Sequence, residues 1–175
     1  MANSYSDQII KDTTEHVVIK LTGKFDGTGQ ENNHTRVVAN GLYGAIATNG
    51  YLVANNQGGA ANTTLPFYGL SLNRLWYDCS TTGDVELYWH ADVPVPLMFL
   101  NSNGEYDGQG NWVTIPNNAK GTAGCLGDIL ITTRGMVAND SYTIVAEFRK
   151  DNAYYQRGQF NDPAAFNYGS YGVRP

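Results

Sequence analysis

The sequence predicts an all-β protein: a β-sandwich of about eight antiparallel strands, of which the jelly roll is one form, with a long insertion loop and an extended C-terminal arm. Three observations lead there. Runs rich in Val, Ile, Thr, Tyr, Trp and Phe recur along the chain and alternate between polar and apolar positions, as a strand with one buried face must. Asparagine repeatedly stands beside glycine or a second asparagine, at Asn32-Asn33, Asn40-Gly41, Asn49-Gly50, Asn55-Asn56, Asn103-Gly104 and Asn117-Asn118, where local side-chain bonding and tolerance of positive φ favour turns. The length of 175 residues fits one domain, able to bury roughly 70% of the surface its unfolded chain exposes without a metal or disulfide staple.

Residues 15–22 (EHVVIKLT) place Val17, Ile19 and Leu21 on one face and Val18, Lys20 and Thr22 on the other, a first core strand. Residues 24–31 (KFDGTGQE) carry a turn signal, and residues 35–39 (TRVVA) resume an extended pattern. Residues 41–69 are low in charge and loaded with Gly, Ala, Asn and Thr; so long a stretch is an insertion packed on the sandwich or on a neighbouring subunit. Six further strands are expected at 72–78, 85–90, 96–100, 111–115, 128–133 and 141–150. The last shows the clearest alternation, Tyr142, Ile144, Ala146 and Phe148 against Thr143, Val145, Glu147 and Arg149. Residues 1–150 thus read as a single sandwich domain.

Periodicity stops at residues 151–175, where Tyr154, Tyr155, Phe160, Phe166, Tyr168 and Tyr171 are strung among Gly, Asn and Pro. Such a segment cannot build a core of its own. The six aromatics are the candidate partner-binding residues of an extended arm, docking on a surface such as that of another copy, since aromatic anchors dominate interface energetics. A frayed tail is the alternative. Residues 1–14, equally aperiodic, are expected to reach outward in the same way.

Charge narrows the function. Only 15% of residues are charged, against roughly 25% in an ordinary soluble domain, which predicts a surface that meets protein. The net charge of −5 offers no positive field to attract phosphates, so nucleic acid is not an expected partner. No apolar stretch is long enough to span a bilayer and the amino terminus lacks an apolar signal core, which predicts a chain made without Sec export and no membrane partner.

Chemistry is mostly missing. Cys79 and Cys125 are too few and too far apart for a zinc motif, and are expected as free, mostly buried thiols, a bridge being the alternative. His16, His34 and His90 show no metal or catalytic spacing, and Ser80 lacks a nucleophile-elbow context. Residues 101–107 (NSNGEYD) offer oxygens around a glycine without the spacing of a calcium loop, and the Gly-rich stretches 23–29 and 121–127 do not match a phosphate loop. Trp76, Tyr77, Tyr88, Trp89 and Trp112 could line a sugar-binding platform, although half of such strand residues must point into the core. No catalytic residue, metal or cofactor is therefore assigned, and a non-enzymatic protein is expected.

Three stretches, residues 16–29 (HVVIKLTGKFDGTG), 85–96 (VELYWHADVPVP) and 124–150, resemble small virion structural proteins of tailed bacteriophages, particularly those of marine bacteria. The most specific match runs through Gly127-Asp128-Ile129, Thr132-Thr133 and Asp140-Ser141-Tyr142-Thr143-Ile144. The likeness covers roughly residues 14–150 with gaps, leaving out the aromatic tail. It implies a particle component with no enzyme activity and no catalytic residues to carry over. The expectation is a capsid decoration or cement protein on the outer surface of the phage head, made in the host cytoplasm. Its partners would be the major capsid protein and further copies of itself, with a trimer the preferred homo-oligomer. The alternative is a neck or tail accessory protein that binds a receptor or carbohydrate through the same sandwich.

Overall fold

A computed structural model describes residues 2–45, 69–108, 114–151 and 155 of the chain. They form ten strands: β1 (Ser4–Asp12), β2 (His16–Lys24), β3 (His34–Val37), β4 (Leu70–Cys79), β5 (Asp84–Trp89), β6 (Val95–Leu100), β7 (Asn103–Asp107), β8 (Ile115–Pro116), β9 (Ile129–Arg134) and β10 (Ser141–Lys150), with one 3-10 turn at Ala39–Gly41 after β3. One sheet runs β1-β2-β10-β4-β7, with the short β8 also on β4, and the other runs β3-β9-β5-β6. Every pairing is antiparallel. The all-β sandwich is therefore present, with two more strands than the sequence predicts.

The alternation in β10 explains its place at the centre of the larger sheet. Tyr142, Ile144, Ala146 and Phe148 are buried while Thr143, Val145 and Glu147 lie half-buried on the other face, and β2 repeats the pattern with Val17, Ile19 and Leu21. These side chains meet Val85, Leu87 and Trp89 of β5 and Ile129 and Ile131 of β9 in one core. The ring of Trp89, fully buried, stands edge-on to Phe148 with centroids 6.3 Å apart, a contact that joins the two sheets.

Bulges correct the period where it slips. In β4, Leu70 and Leu72 are buried at even positions but Leu75 and Cys79 at odd ones. The register with β10 shifts between Glu147 and Phe148, leaving Asn73 as the extra residue, and one extra residue turns every later side chain to the opposite face. In β3 the extra residue is Arg36, between Thr35 opposite Leu130 and Val37 opposite Ile129. The bulge aims its side chain between the sheets.

Arg36 meets all its hydrogen-bonding capacity there. Its Nε donates to Asp7 Oδ1 at 2.7 Å, Nη1 donates to Glu31 Oε1 at 2.8 Å and to the Tyr142 hydroxyl, and Nη2 donates to the carbonyls of Ser6 and Thr22 at 3.1 and 3.0 Å. The Tyr142 hydroxyl donates in turn to Glu31 Oε2 at 2.5 Å. Desolvation opposes the guanidinium charge, but the hydrogen bond it donates to Asp7 and the fields of Tyr142 and Glu31 outweigh it and hold Arg36 above its ordinary value. Burial, reinforced by Glu31, pushes the Tyr142 hydroxyl up, so it stays protonated and able to donate. Gly23 lies opposite Tyr142 in the ladder, and a Cβ there would come within 2.4 Å of the tyrosine ring. Only glycine leaves the ring room to reach Arg36.

The structure corrects the sequence reading at several places. Residues 1–14 are not an outward arm: Ser4–Asp12 forms the edge strand β1 on β2. The sequence does not predict β7, because Asn103–Asp107 carries no apolar alternation. Of the strand expected at 111–115, Ile115 belongs to β8 while residues 111–113 lie outside the described residues, as do residues 46–68 of the expected insertion.

Replacing Arg36 by Met takes from Glu31 its buried cationic partner, which costs about 3–5 kcal/mol. Tyr142→Phe removes one donor from the same carboxylate and costs about 1–3 kcal/mol. Urea unfolding of both variants beside the parent protein checks the order; equal stability of the Arg36→Met protein would show that the network does not hold the sheets.

Candidate functional site

Of the six aromatics predicted for the arm, Tyr155 alone falls among the described residues; Tyr154, Phe160, Phe166, Tyr168 and Tyr171 lie outside them. Tyr155 is docked on its own sandwich. Its side chain is 1% exposed, its hydroxyl donates to the Ala39 carbonyl at 2.8 Å, and its backbone bridges Ala45. The ring lies 5.0 Å from Lys150 Nζ, a cation–π arrangement. Tyr155 is thus an internal anchor rather than a partner-facing one.

Lys150 is the second buried cation. Its ammonium donates to Asp12 Oδ1 and to the carbonyls of Thr13 and Tyr43, the latter two at 2.7 Å each, so its three N–H groups all have acceptors. Burial pulls its pKa down, against the opposing pull of Asp12. The cluster fastens the end of β1 to the end of β10.

Each histidine sits beside a carboxylate: His16 Nδ1 is 3.0 Å from Glu147, His34 Nδ1 is 3.0 Å from Glu31, and His90 Nδ1 is 3.5 Å from Asp128. Among the described residues no group of three or more His, Cys, Asp or Glu is placed to hold a metal ion. Within residues 101–107, three residues spend polar groups on structure: Asn101 Nδ2 donates to Asp84 at 2.7 Å, Ser102 O accepts from Cys79 N at 2.6 Å, and Asp107 pairs with Arg74 at 3.3 Å. Ser80 Oγ accepts from Ser141 N at 2.9 Å, tying β4 to β10. No described helix is long and apolar enough to cross a membrane.

Two surface features remain. The first is a pair of rims. At one, β1 is the open edge of the larger sheet beside β3, as the 5.6 Å spacing of the Tyr5 and His34 rings shows. Here Ile9 and Ile10 are each 54% exposed. At the opposite rim β6 is the open edge of the smaller sheet, joined to β7 through Asn101 and Ser102. Phe99 is 62% exposed there and Val93, just before β6, 79%. The second feature is a shallow, open groove of about 530 Å³ on the outer face of the larger sheet, lined by Trp76, Asp78, Asn103, Glu105, Thr143 and Val145.

Comparisons of the chain with protein-family models, with curated proteins and with solved structures find no match. Functional assignment rests on these surfaces.

The aromatics considered for a sugar platform divide sharply. Trp89 is core, and Tyr88 is half-buried, its hydroxyl donating to Glu86 at 2.7 Å and its ring edge-on to Phe99. Tyr77 packs half-buried against the core, Trp112 lies outside the described residues, and Trp76 is 40% exposed. Alternation alone did not reveal this, because the bulge at Asn73 decides which side Trp76 takes.

Both cysteines are free and buried. Burial, with Asp78 adding to it, pushes the Cys79 thiol up to about 12, and burial raises Cys125 against the opposing backbone hydrogen bond from Gly127. Since the thiolate is the reactive form, the folded protein at neutral pH should take up iodoacetamide slowly and the urea-unfolded protein should be labelled at both sites, as intact-mass spectrometry will show. Rapid labelling of the native protein would place a thiol at the surface instead.

Proposed function

We propose that the protein is a non-enzymatic structural component of a tailed-phage virion, a decoration or cement protein that binds neighbouring major capsid protein subunits on the outside of the head. The observation that carries the reading is the pair of opposite rims, each an open edge strand with large apolar side chains turned to solvent. Such edges are normally blunted or covered, and an exposed strand adds readily to a partner's sheet while flanking apolar side chains supply the affinity. Apolar edges at both rims suit a protein that joins two neighbours rather than capping one. Copies would repeat at capsid symmetry positions, as trimers.

Two further observations support it. The pairings β2 with β10, β3 with β9, β4 with β7 and β5 with β6 follow the order of a ribbon folded on itself, the jelly roll, an architecture shared by viral capsid and lectin domains. The resemblance to phage virion proteins falls on β2, β5, β9 and β10, interior strands of the two sheets. Fold by itself does not assign function, so the rims carry the argument.

Electron cryomicroscopy of the virion is expected to show many copies over the junctions of capsid subunits. A few copies ringed at the portal or tail, or none in the particle, would overturn the reading. A protein carrying both Ile9→Asp and Ile10→Asp should keep its fold, because both side chains already face solvent. It should bind stripped capsids about tenfold to a hundredfold more weakly, at about 1.4 kcal/mol per factor of ten. Sedimentation with capsids measures this directly.

A further inference from the structure

The groove around Trp76 is not used by either rim. We propose that it is a carbohydrate-binding site for a neutral, hydroxyl-rich glycan, with the indole of Trp76 as the stacking surface. This goes beyond the capsid reading and does not depend on it.

The ladder fixes the arrangement. Trp76 of β4 stands between Glu105 of β7 and Val145 of β10, and two residues along, Asp78 stands between Asn103 and Thr143. With strands about 4.8 Å apart and side chains on one face about 6.7 Å apart along a strand, the six positions cover about 10 by 7 Å, the footprint of one or two sugar rings. Two neighbouring positions of the six are apolar, Trp76 and Val145. The four around them are polar, Asp78, Asn103, Glu105 and Thr143.

That division matches the chemistry of a pyranose. Its axial C–H groups make an apolar face that packs on a flat aromatic, and its hydroxyls lie around the ring edge, where they need acceptors. Carboxylates are the strongest acceptors for hydroxyl donors, and neither Asp78 nor Glu105 is taken up by a side-chain hydrogen bond or ion pair of the described residues. Asn103 Oδ1 accepts from Ser102 Oγ at 3.3 Å, which leaves its amide nitrogen to donate to a ligand. Two carboxylates on a chain of net charge −5 disfavour sulfated or uronic sugars, so the ligand is uncharged.

The platform is also rigid. It lies on three paired strands rather than on a loop, and Gly104, opposite Tyr77 in the ladder, lets the strands lie close where a Cβ would come within 2.5 Å of the Tyr77 hydroxyl. A pre-formed surface loses little entropy on binding.

Saturation-transfer NMR and titration calorimetry of the isolated protein with neutral gluco-, galacto- and manno-oligosaccharides test the proposal. Saturable binding of at least one is expected. Trp76→Ala should weaken it by about tenfold or more, and the Asp78→Asn, Glu105→Gln double variant, which alters only exposed side chains, should weaken it without changing the unfolding curve. A charged control, an oligouronate, should bind less well than its neutral counterpart. No binding of any neutral oligosaccharide at millimolar concentration, binding indifferent to both variants, or binding of a basic peptide in place of sugars would overturn the assignment.

Discussion

A guanidinium with no exposure to solvent must find a partner for each of its five N–H groups, and Arg36, carried by the smaller sheet, finds them on the larger sheet and on the loop that precedes its own strand. Its acceptors are the Ser6 carbonyl and Asp7 carboxylate of β1, the Thr22 carbonyl of β2, Glu31, and the Tyr142 hydroxyl of β10. Glu31 is itself pinned to β9: its N–H donates to Thr133 Oγ1 at 2.9 Å and its carbonyl accepts from Thr133 N at 3.0 Å. The relative position of the sheets at this rim is therefore set by a polar cluster as well as by the core. An apolar core tolerates sliding more readily than a network in which each misplaced donor leaves a buried charge unpaired.

The same logic holds β1 in place. The strand buries almost nothing of its own, yet it is fastened near its middle and at its end by a buried cation: Asp7 to Arg36 and Asp12 to Lys150. Between those clamps, Ile9 and Ile10 contribute nothing to the core and stand out from the edge. The register with β2 shifts between Ile9 and Lys11, making Ile10 the bulged residue, and a bulge limits indiscriminate pairing along an edge. An edge firmly held, locally interrupted and apolar favours a specific partner over open-ended aggregation. Tyr155, closing over Lys150, starts the C-terminal segment from the same end of the sandwich.

The molecule thus separates its tasks by face. The inner faces of both sheets make the core and the rims present apolar edges. Among the described residues, the outer face of the larger sheet carries mostly polar side chains with the indole of Trp76 among them. The rims proposed for neighbouring subunits and the groove proposed for a glycan therefore occupy different faces, and neither surface interferes with the other.

Composition and alternation were enough to give the sandwich and its central strands. β10 occupies Ser141–Lys150 as its pattern requires, because a strand buried on one face across its whole length leaves a complete period-two record. β1 left no such record. Its strand state comes from a ladder to β2 and from two clamps whose partners lie 29 and 138 residues away, distances at which local sequence carries no signal. Trp76 marks the same boundary within one strand. Counting by twos from the buried Leu72 puts Trp76 on the core side, and the extra residue Asn73 turns it outward instead. The sequence by itself determined which residues are apolar enough to build two sheets. Which of its tryptophans faces solvent was decided by tertiary pairing, since a bulge exists only in relation to the strand beside it.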